Sequence, residues 1–442
     1  MLQRYEEIHD RIERWYRAAL EVVEPKAAVA RAMAWDGERL VVDGQSIPVD
    51  MNVRVFVVAI GKAAVAMAEG AVEGLGDRID DGIVLTKYGH LGAGIRGFHC
   101  FEAGHPIPDA SGEQATRSII DAFEGLTSND IVLALISGGG SALLELPREP
   151  LTLQDLQQTT EVLMHAGAGI HDLNAVRSVL SQVKGGGLRR HIGAARCVSL
   201  LLSDVLGNDP QVIASGPTVL VHRSFAEAQA VVSRFGVEGR LPESVRLVLA
   251  GEDRIDSTPD SSHDVWTVIA DNAAMVNELQ TVVEAEGLSA RLQWQAYDGD
   301  AANLGRKMVE DARASDDTWD VLLGGGEATV EVTGQGSGGR NTEAVLVSAM
   351  ALEQQGGDWV VASLASDGDD GSADAAGAIA DPETVARGRL AGVEPSTSLA
   401  NSDSASYFRK AGGLVVTGPS GTNVNDVYIA VRIRPTFDQG EN

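Results

Sequence analysis

Ile131-Val132-Leu133-Ala134-Leu135-Ile136 is an unbroken apolar run that stops at Ser137-Gly138-Gly139-Gly140-Ser141. Val321-Leu322-Leu323 stops likewise at Gly324-Gly325-Gly326-Glu327. Apolar runs of this length bounded by glycine read as strands covered on both faces, as in a parallel sheet. Val53–Ile60, Gly82–Thr86, Phe98–Ala103 and Cys197–Leu202 repeat the pattern. Between them lie stretches with helical spacing: Ala63–Gly74, Ser111–Gly125 with Ser111 as its N-cap, 152–166 and 171–182. Strands alternating with helices predict a doubly wound α/β sheet. Ahead of it, Ile8, Ile12, Trp15, Tyr16 and Ala19 mark a helix, and Asp43-Gly44 marks the turn of a small hairpin over 39–49.

The pattern loosens between Val219 and Ser262, where Pro242, Pro259 and the polar run Asp256–Ser262 read as a hinge. A second α/β series then begins with Val265–Ala270 and the helix Ala273–Glu286. It continues through Ser289–Gln295, Val330–Thr333, Thr342–Gln354, Val360–Ser366 and Val427–Val431. Two domains are expected, 1–245 and 246–442, with the last strand free to join either one. A chain of 442 residues is long enough for both.

The formal charge of −28 weighs against nucleic acid, which needs basic patches. The acids are spread along the whole chain and lysine is scarce, with only six residues. Such a surface repels itself unless salt screens it, so a salty, halophilic cytoplasm is expected. The first residues, Met1 to Glu7, lack the basic start and apolar stretch of a leader peptide, and no run reaches the length of a membrane span. Cys100 and Cys197 make neither a disulfide framework nor a zinc site.

Candidate chemistry sits where strands end. Glycine loops there let backbone N–H groups approach an anion, so Ser137–Ser141 and Gly324–Gly326 together suggest a phosphorylated ligand held between two lobes. Lys62 follows its strand directly in Ile60-Gly61-Lys62, aimed at the same end; the alternative is a solvated lysine at a helix start. Lys184-Gly185-Gly186-Gly187 ends a helical pattern. A C-cap accounts for one glycine, and an approaching ligand for the others. Asp204, after Leu202-Ser203, is a base, a magnesium ligand or an N-cap. Arg340 opens a helix after Gly338-Gly339, where carboxylate or phosphate is favoured. Asp367 ends a strand, while Asp369 and Asp370 read as surface acids. A lysine, an arginine and two aspartates at loop starts suit phosphoryl transfer.

These stretches, in order, resemble the class II glycerate kinases that carry a MOFRL domain: "AIGKAA", "ISGGGSALLELP", "LNAVRSVLSQVKGGGLRRH", "LSDVLGNDPQVIASGPTV", "GGGEATVEVTGQGSGGRNTE", "ASDGDDGSADAAGAI" and "GTNVNDVYIA". The resemblance runs from about residue 5 to residue 432. It implies a Rossmann-like lobe, a smaller mixed α/β lobe and a site in the cleft between them. It implies ATP-dependent phosphorylation of D-glycerate at its 2-hydroxyl, with Mg2+ or another divalent cation and no nucleic-acid or membrane partner. The family's essential lysine falls on Lys62 and its essential arginine on Arg340. Its acidic pair falls on Asp204 and Asp367, as base or metal ligands, and its nucleotide loops on "SGGGS" and "GGGE", which includes Glu327. Two rivals stay open: a hydroxypyruvate reductase, a label some relatives carry, and a non-enzymatic sugar-phosphate sensor. A homodimer is one open assembly.

Overall fold

The computed structural model describes residues 2–49, 52–221, 224–251, 259–315 and 318–433. The chain forms two compact units, Pro25–Ile269 and a second made of residues up to Glu24 together with those from Ala270 onward.

The first unit begins with a helix, Pro25–Ala32, and a three-stranded antiparallel sheet of β1 (Met33–Trp35), β2 (Arg39–Val42) and β3 (Gln45–Pro48). Asp43 and Gly44 both take positive φ between β2 and β3, as a tight hairpin turn requires. Six strands follow: β4 (Val55–Ile60), β5 (Asp81–Lys87), β6 (Phe98–Ala103), β7 (Ile131–Ile136), β8 (Arg196–Leu202) and β9 (Val265–Ala270). Their spatial order is β6-β5-β4-β7-β8-β9. Pairing is parallel from β6 across to β8. This is the Rossmann order, and it reverses between β4 and β7.

Every residue of β4 and β7 is buried, which is why these strands show no alternation in the sequence. Each fully buried Val, Leu or Ile there contributes about 1.5–3 kcal/mol. The helix expected from Ser111 runs from Ala110 to Ala122, and its cap is Asp109, which accepts the Gly112 N–H at 2.9 Å. Asp109 rather than Ser111 holds the cap position because the helix begins two residues earlier than a Ser111 cap would set it.

One electrostatic clamp secures the entry to β7. Arg54 donates to Asp130 through Nε at 2.9 Å and Nη2 at 2.6 Å, and the Thr127 N–H adds a bond at 2.7 Å. The Arg54 bonds are the main reason the Asp130 carboxyl is held down at about 2. A depressed carboxyl adds stability that is fully present above its ordinary value near ~4 and is lost as pH falls through the folded value. Asp130→Asn should therefore lower unfolding stability at pH 7 by roughly 1.5–3 kcal/mol. The gap to wild type should close as pH drops from ~4 toward ~2. Urea melts across that range check it; identical melts at pH 7 would refute it.

Several sequence expectations change here. Among the described residues, the stretch 219–262 is largely helical rather than a loose hinge. It carries the helices Phe225–Phe235 and Glu243–Leu249, whose Val231, Val232 and Val245 pack with Leu156, Leu163 and Val176 in a satellite core. Asp256 to Thr258 lie outside the described residues. Val265–Ala270 opens no second sheet; it lies beside β8 as the sixth strand of the first. The expected division at 245/246 accordingly falls at 269/270.

The second unit holds β10 (Ala290–Tyr297), β11 (Val321–Gly326), β12 (Trp359–Ala365), β13 (Gly377–Ala380), β14 (Leu414–Val415) and β15 (Asp426–Arg432), in the order β10-β11-β15-β12-β13-β14. The last strand, β15, stays in this unit, central and antiparallel to both β11 and β12. Val330–Thr333 forms no strand, and Val332 is exposed. The helix Leu2–Val22 belongs here too, not with the Rossmann-like unit. Its buried Trp15 donates to Glu286 at 2.9 Å, and its buried Tyr16 hydroxyl donates to the Ala365 carbonyl at 2.6 Å. Thr422 adds a bond to the Val23 carbonyl at 2.8 Å. Apolar spacing predicts the helix but carries no signal of a partner more than 260 residues away in the chain.

Candidate active site

Lys62 and Ser137 follow β4 and β7, the two strands flanking the order reversal, where open α/β sheets bind ligands. The two turns are laced together. The Lys62 N–H donates to Gly138 O at 3.0 Å, and the Ala63 N–H to Ser137 Oγ at 3.1 Å. Gly61, at φ +126, must be glycine, because a Cβ would overlap Ser137. Ser137 is thus buried as a brace between strands, and its hydroxyl is not offered to a ligand. Ser141 is also engaged: its Oγ accepts from Arg177 Nη2 at 2.6 Å and lies 2.7 Å from Ser215 Oγ.

The glycines between these serines differ. Gly139 sits at φ +83, ahead of the short helix Gly140–Leu143. Among the described residues, the N–H groups of Gly138, Gly139 and Ser141 have no acceptor. A Cβ on Gly138 would overlap an Asp204 carboxylate oxygen, so this aspartate lies directly against the loop. A Cβ on Gly139 would stand 3.1 Å from Lys62 Cγ and 3.2 Å from His105 Nε2. The loop thus presents unsatisfied N–H groups beside a lysine, a histidine and an aspartate, which suits an anion accompanied by a cation.

Lys62 has no carboxylate partner among the described residues, nor does Lys87 at the end of β5. By contrast Lys26, Lys184 and Lys307 pair with Glu73, Glu145 and Asp311. In so acidic a chain, two unpaired lysines at adjacent strand ends mark a positive spot. Burial first, and then the charges of Lys62 and Lys87, push His105 down to about 4, so the imidazole is neutral near pH 7.

Lys184 does not face a ligand. It is 1% exposed and donates to Ser141 O at 2.6 Å and Leu144 O at 3.2 Å, with Glu145 at 3.1 Å. Burial lowers it to about 8, and Glu145 opposes that shift. Its work is to hold the backbone that follows the glycine loop. Gly185 and Gly186 carry positive φ; their N–H groups donate to Ser215 O and Gly216 O at 2.9 and 2.7 Å. A Cβ on Gly186 would crowd Leu220. The approaching partner at these glycines is the chain itself.

In the second unit, Gly324-Gly325-Gly326 is no loop. All three residues belong to β11 and are buried. A Cβ would overlap Trp294 O at Gly324, the Asn272 side chain at Gly325 and Tyr297 O at Gly326. Glycine after an apolar run reads as a turn, yet here it lets β10 and a helix press close to the strand. Gly325→Val should therefore cost about 1–3 kcal/mol by overpacking, with the ATP KM of the folded fraction unchanged. Thermal melting and ATP titration check this; a normal melt with a raised ATP KM would restore the loop reading.

Arg340 heads the helix Arg340–Gln355, and its fork is taken by Asp426. Nε and Nη2 reach the two carboxylate oxygens at 2.6 and 2.9 Å, and Nη1 reaches Glu327 at 3.0 Å. Asp426 is fully buried, and burial raises its carboxyl to about 6 against the opposing pull of Arg340. Asp370, expected at the surface, is buried and accepts the N–H groups of Asn341 and Thr342 at 2.8 Å each. It anchors the helix that presents Arg340, and burial pushes its carboxyl up. Asp367 is half-buried at the end of β12 and accepts the Asp369 N–H at 3.0 Å. Asn425 N–H donates to Asn423 Oδ1 at 3.1 Å, an Asx-turn ahead of β15.

No three His, Cys, Asp or Glu side chains converge as a metal cage among the described residues, so Asp204 and Asp367 belong to no such cluster. Sequence reasoning left His105 unassigned, read Asp426 only as part of the polar turn before the last strand, and missed Lys87, Arg177 and Glu145. Only Arg177 left a signal, an arginine between the apolar positions Val176 and Val179.

The strand order and the open N–H groups define a Rossmann-like anion-binding protein with a second, mixed α/β unit. The domain of unknown function DUF4147 matches residues 11–250, and the MOFRL family matches residues 320–426. A D-glycerate 2-kinase of Thermotoga maritima is 40% identical over 385 residues, 86% of this chain and 90% of that protein. A protein of Agrobacterium vitis with a provisional hydroxypyruvate reductase name is 38% identical, covering 94% of this chain and 92% of its own. The crystal structure of a Thermotoga maritima glycerate kinase superposes with a TM-score of 0.86 at 35% identity, covering 97% of this chain and all of that one. The chain belongs to the glycerate kinase family that carries the MOFRL domain. Among the described residues, no helix is long and apolar enough to cross a membrane.

Proposed function

We propose that the protein phosphorylates D-glycerate at the 2-hydroxyl with ATP, giving 2-phospho-D-glycerate. The observation that carries this reading is Lys62, without an acid partner among the described residues, beside the open N–H groups of Gly138, Gly139 and Ser141 at the order reversal. Phosphoryl transfer is mostly positioning and charge neutralisation. Those N–H groups and Lys62 bind phosphate oxygens. Asp204, against the same loop, takes the proton of the attacking hydroxyl or holds a cation. The family resemblance also assigns Arg340 a role with phosphate or carboxylate and Asp367 a role as base or metal ligand.

Mg2+ is normally held by one or two carboxylates plus substrate phosphates rather than by a protein cage. A single carboxylate pressed against Gly138 fits that habit, so Asp204 would hold the ion, and Asp367 is its second candidate. When bound with ATP, magnesium neutralises phosphate charge.

A reductase is favoured by the Agrobacterium name and by the strand order, which nicotinamide enzymes share. It needs G-x-G-x-x-G after a strand, whereas β4 ends in Gly61-Lys62-Ala63-Ala64-Val65-Ala66 and Leu143 fills the last position after β7. A coupled assay with D-glycerate and ATP, with the product identified by NMR, tests the kinase reading. ADP with 2-phosphoglycerate supports it. NADH oxidation with hydroxypyruvate and no ADP would replace it by the reductase, and silence in both assays would leave a sensor.

We also place the protein in a salty cytoplasm, with a homodimer as one open assembly. Its net charge of −28 repels the folded state unless salt screens it. Melting temperature should rise steeply from low to molar KCl. Equal values would refute the halophilic reading, and sedimentation measures the assembly.

A further inference from the structure

His105 follows β6 by two residues, in a loop at the carboxyl end of the sheet. Parallel register places Leu85 beside Ile60 and Lys87 beside Ala103, so Lys62, Lys87 and His105 leave three neighbouring strands at one end. The fourth neighbour, β7, delivers Gly139. The missing side chain of Gly139 leaves a space that His105 closes with Cδ2 and Nε2, at 3.1 and 3.2 Å, and Lys62 closes with Cγ at 3.1 Å. The ring is half-buried, and no hydrogen bond to its side chain occurs among the described residues.

Asp204 aside, the groups at this spot suit negative charge: the open N–H groups, Lys62 and Lys87. His105 is the exception. Flanked by two ammonium groups and partly desolvated, it stays neutral, as its value of about 4 reflects. A neutral imidazole offers one donor and one acceptor. A hydroxyl group has the same pair and is its natural complement, whereas an anion has no proton to give. Burial, with the flanking cations behind it, also makes the ring a weak base, unsuited to removing the proton of the reacting hydroxyl.

We propose that His105 hydrogen-bonds the non-reacting 3-hydroxyl of glycerate and thereby selects a dihydroxy acid over its deoxy analogue. The assignment rests on the glycerate kinase reading. It makes His105 a specificity residue, with Gly139 supplying the space and Lys62 the adjoining charge. Sites that hydrogen-bond a substrate hydroxyl reject the analogue lacking it, because their own polar groups are left unpaired.

The test compares glycerate with lactate, the same 2-hydroxy acid without the 3-hydroxyl. Glycerate KM, ATP KM and the Ki of lactate against glycerate are measured for wild type, His105→Ala and His105→Gln, with thermal melting alongside. We expect His105→Ala to raise glycerate KM roughly tenfold, the size of one lost hydrogen bond. ATP KM and lactate Ki should stay within about twofold of wild type. His105→Gln, which keeps a donor and an acceptor, should recover part of the loss and provides the measurement if the alanine variant fails to fold. An unchanged glycerate KM overturns the assignment, as does a parallel rise in lactate Ki, which would mean that His105 reads a group both acids share. A rise in ATP KM alone overturns it in favour of a nucleotide contact. Absence of glycerate-dependent ADP from the wild type would instead sink the kinase reading itself, before any variant is compared.

Discussion

Lys62→Ala should lower turnover with glycerate and ATP by about 10²–10³ while the protein melts as wild type does. The size comes from the environment of the ammonium group. Negative charge spreads over the equatorial oxygens of a transferring phosphoryl group, and a fixed cation is worth most there. Lys62 is not already spent on a neighbouring acid; among the described residues it has none. The same fact keeps the cost in stability small, because no buried carboxylate is orphaned when the ammonium goes. Its backbone N–H bond to Gly138 survives the substitution. Lys62→Arg should recover only part of the activity, since a planar fork replaces a compact charge. Steady-state kinetics with a melting curve decide it. Turnover within threefold of wild type would remove Lys62 from the chemistry.

Arg340→Ala should behave in the opposite way and unsettle the fold. Its fork holds both oxygens of Asp426, which is 0% exposed. Removing one partner of a buried pair leaves an uncompensated charge and costs about 3–5 kcal/mol. For a unit of this size that is on the order of a 10 °C fall in melting temperature. Burial has already pushed Asp426 up to about 6, so without the guanidinium the carboxyl will take up a proton more readily still. Asp426→Asn introduced together with Arg340→Ala should restore part of the lost stability, and Arg340→Lys should rescue poorly because the bidentate grip is gone. Activity lost in Arg340→Ala must therefore be measured on the folded fraction. If the alanine variant melts like wild type, the Asp426 pair is not a structural brace, and a direct role for Arg340 in binding substrate is strengthened.

The parallel sheet was legible because complete burial erases polar alternation, and β4, β7 and β8 are buried along nearly their whole length. Lys62 was legible because a lysine directly after such a strand, in a chain with six, is a conspicuous expense of charge. The misreadings share one cause: depth and distant neighbours leave no local trace. Lys184 and Asp370 read as ligand and surface residues, and both are buried among backbone groups that they hydrogen-bond. Gly324 to Gly326 read as a cradle for phosphate, yet they make room for Trp294, Asn272 and Tyr297. His105 had no motif to mark it, since its significance depends on Gly139 lying three strands away.

The helix Leu2–Val22 has a consequence for biosynthesis. It leaves the ribosome ahead of the residues it packs against, since Glu286 and Ala365 among them are made hundreds of codons later. Domains generally fold as units during synthesis, beginning from the amino terminus. Residues 25–269 can complete their unit while the preceding helix, with its Ile12, Trp15 and Tyr16 face, still has nothing to bury it. That apolar stripe stays uncovered until Glu286, Ala365 and their neighbours have been made. A fragment that begins at Ala270 would carry the complementary fault, an uncovered seat for Trp15 and Tyr16, and should aggregate unless the helix is supplied as a separate peptide.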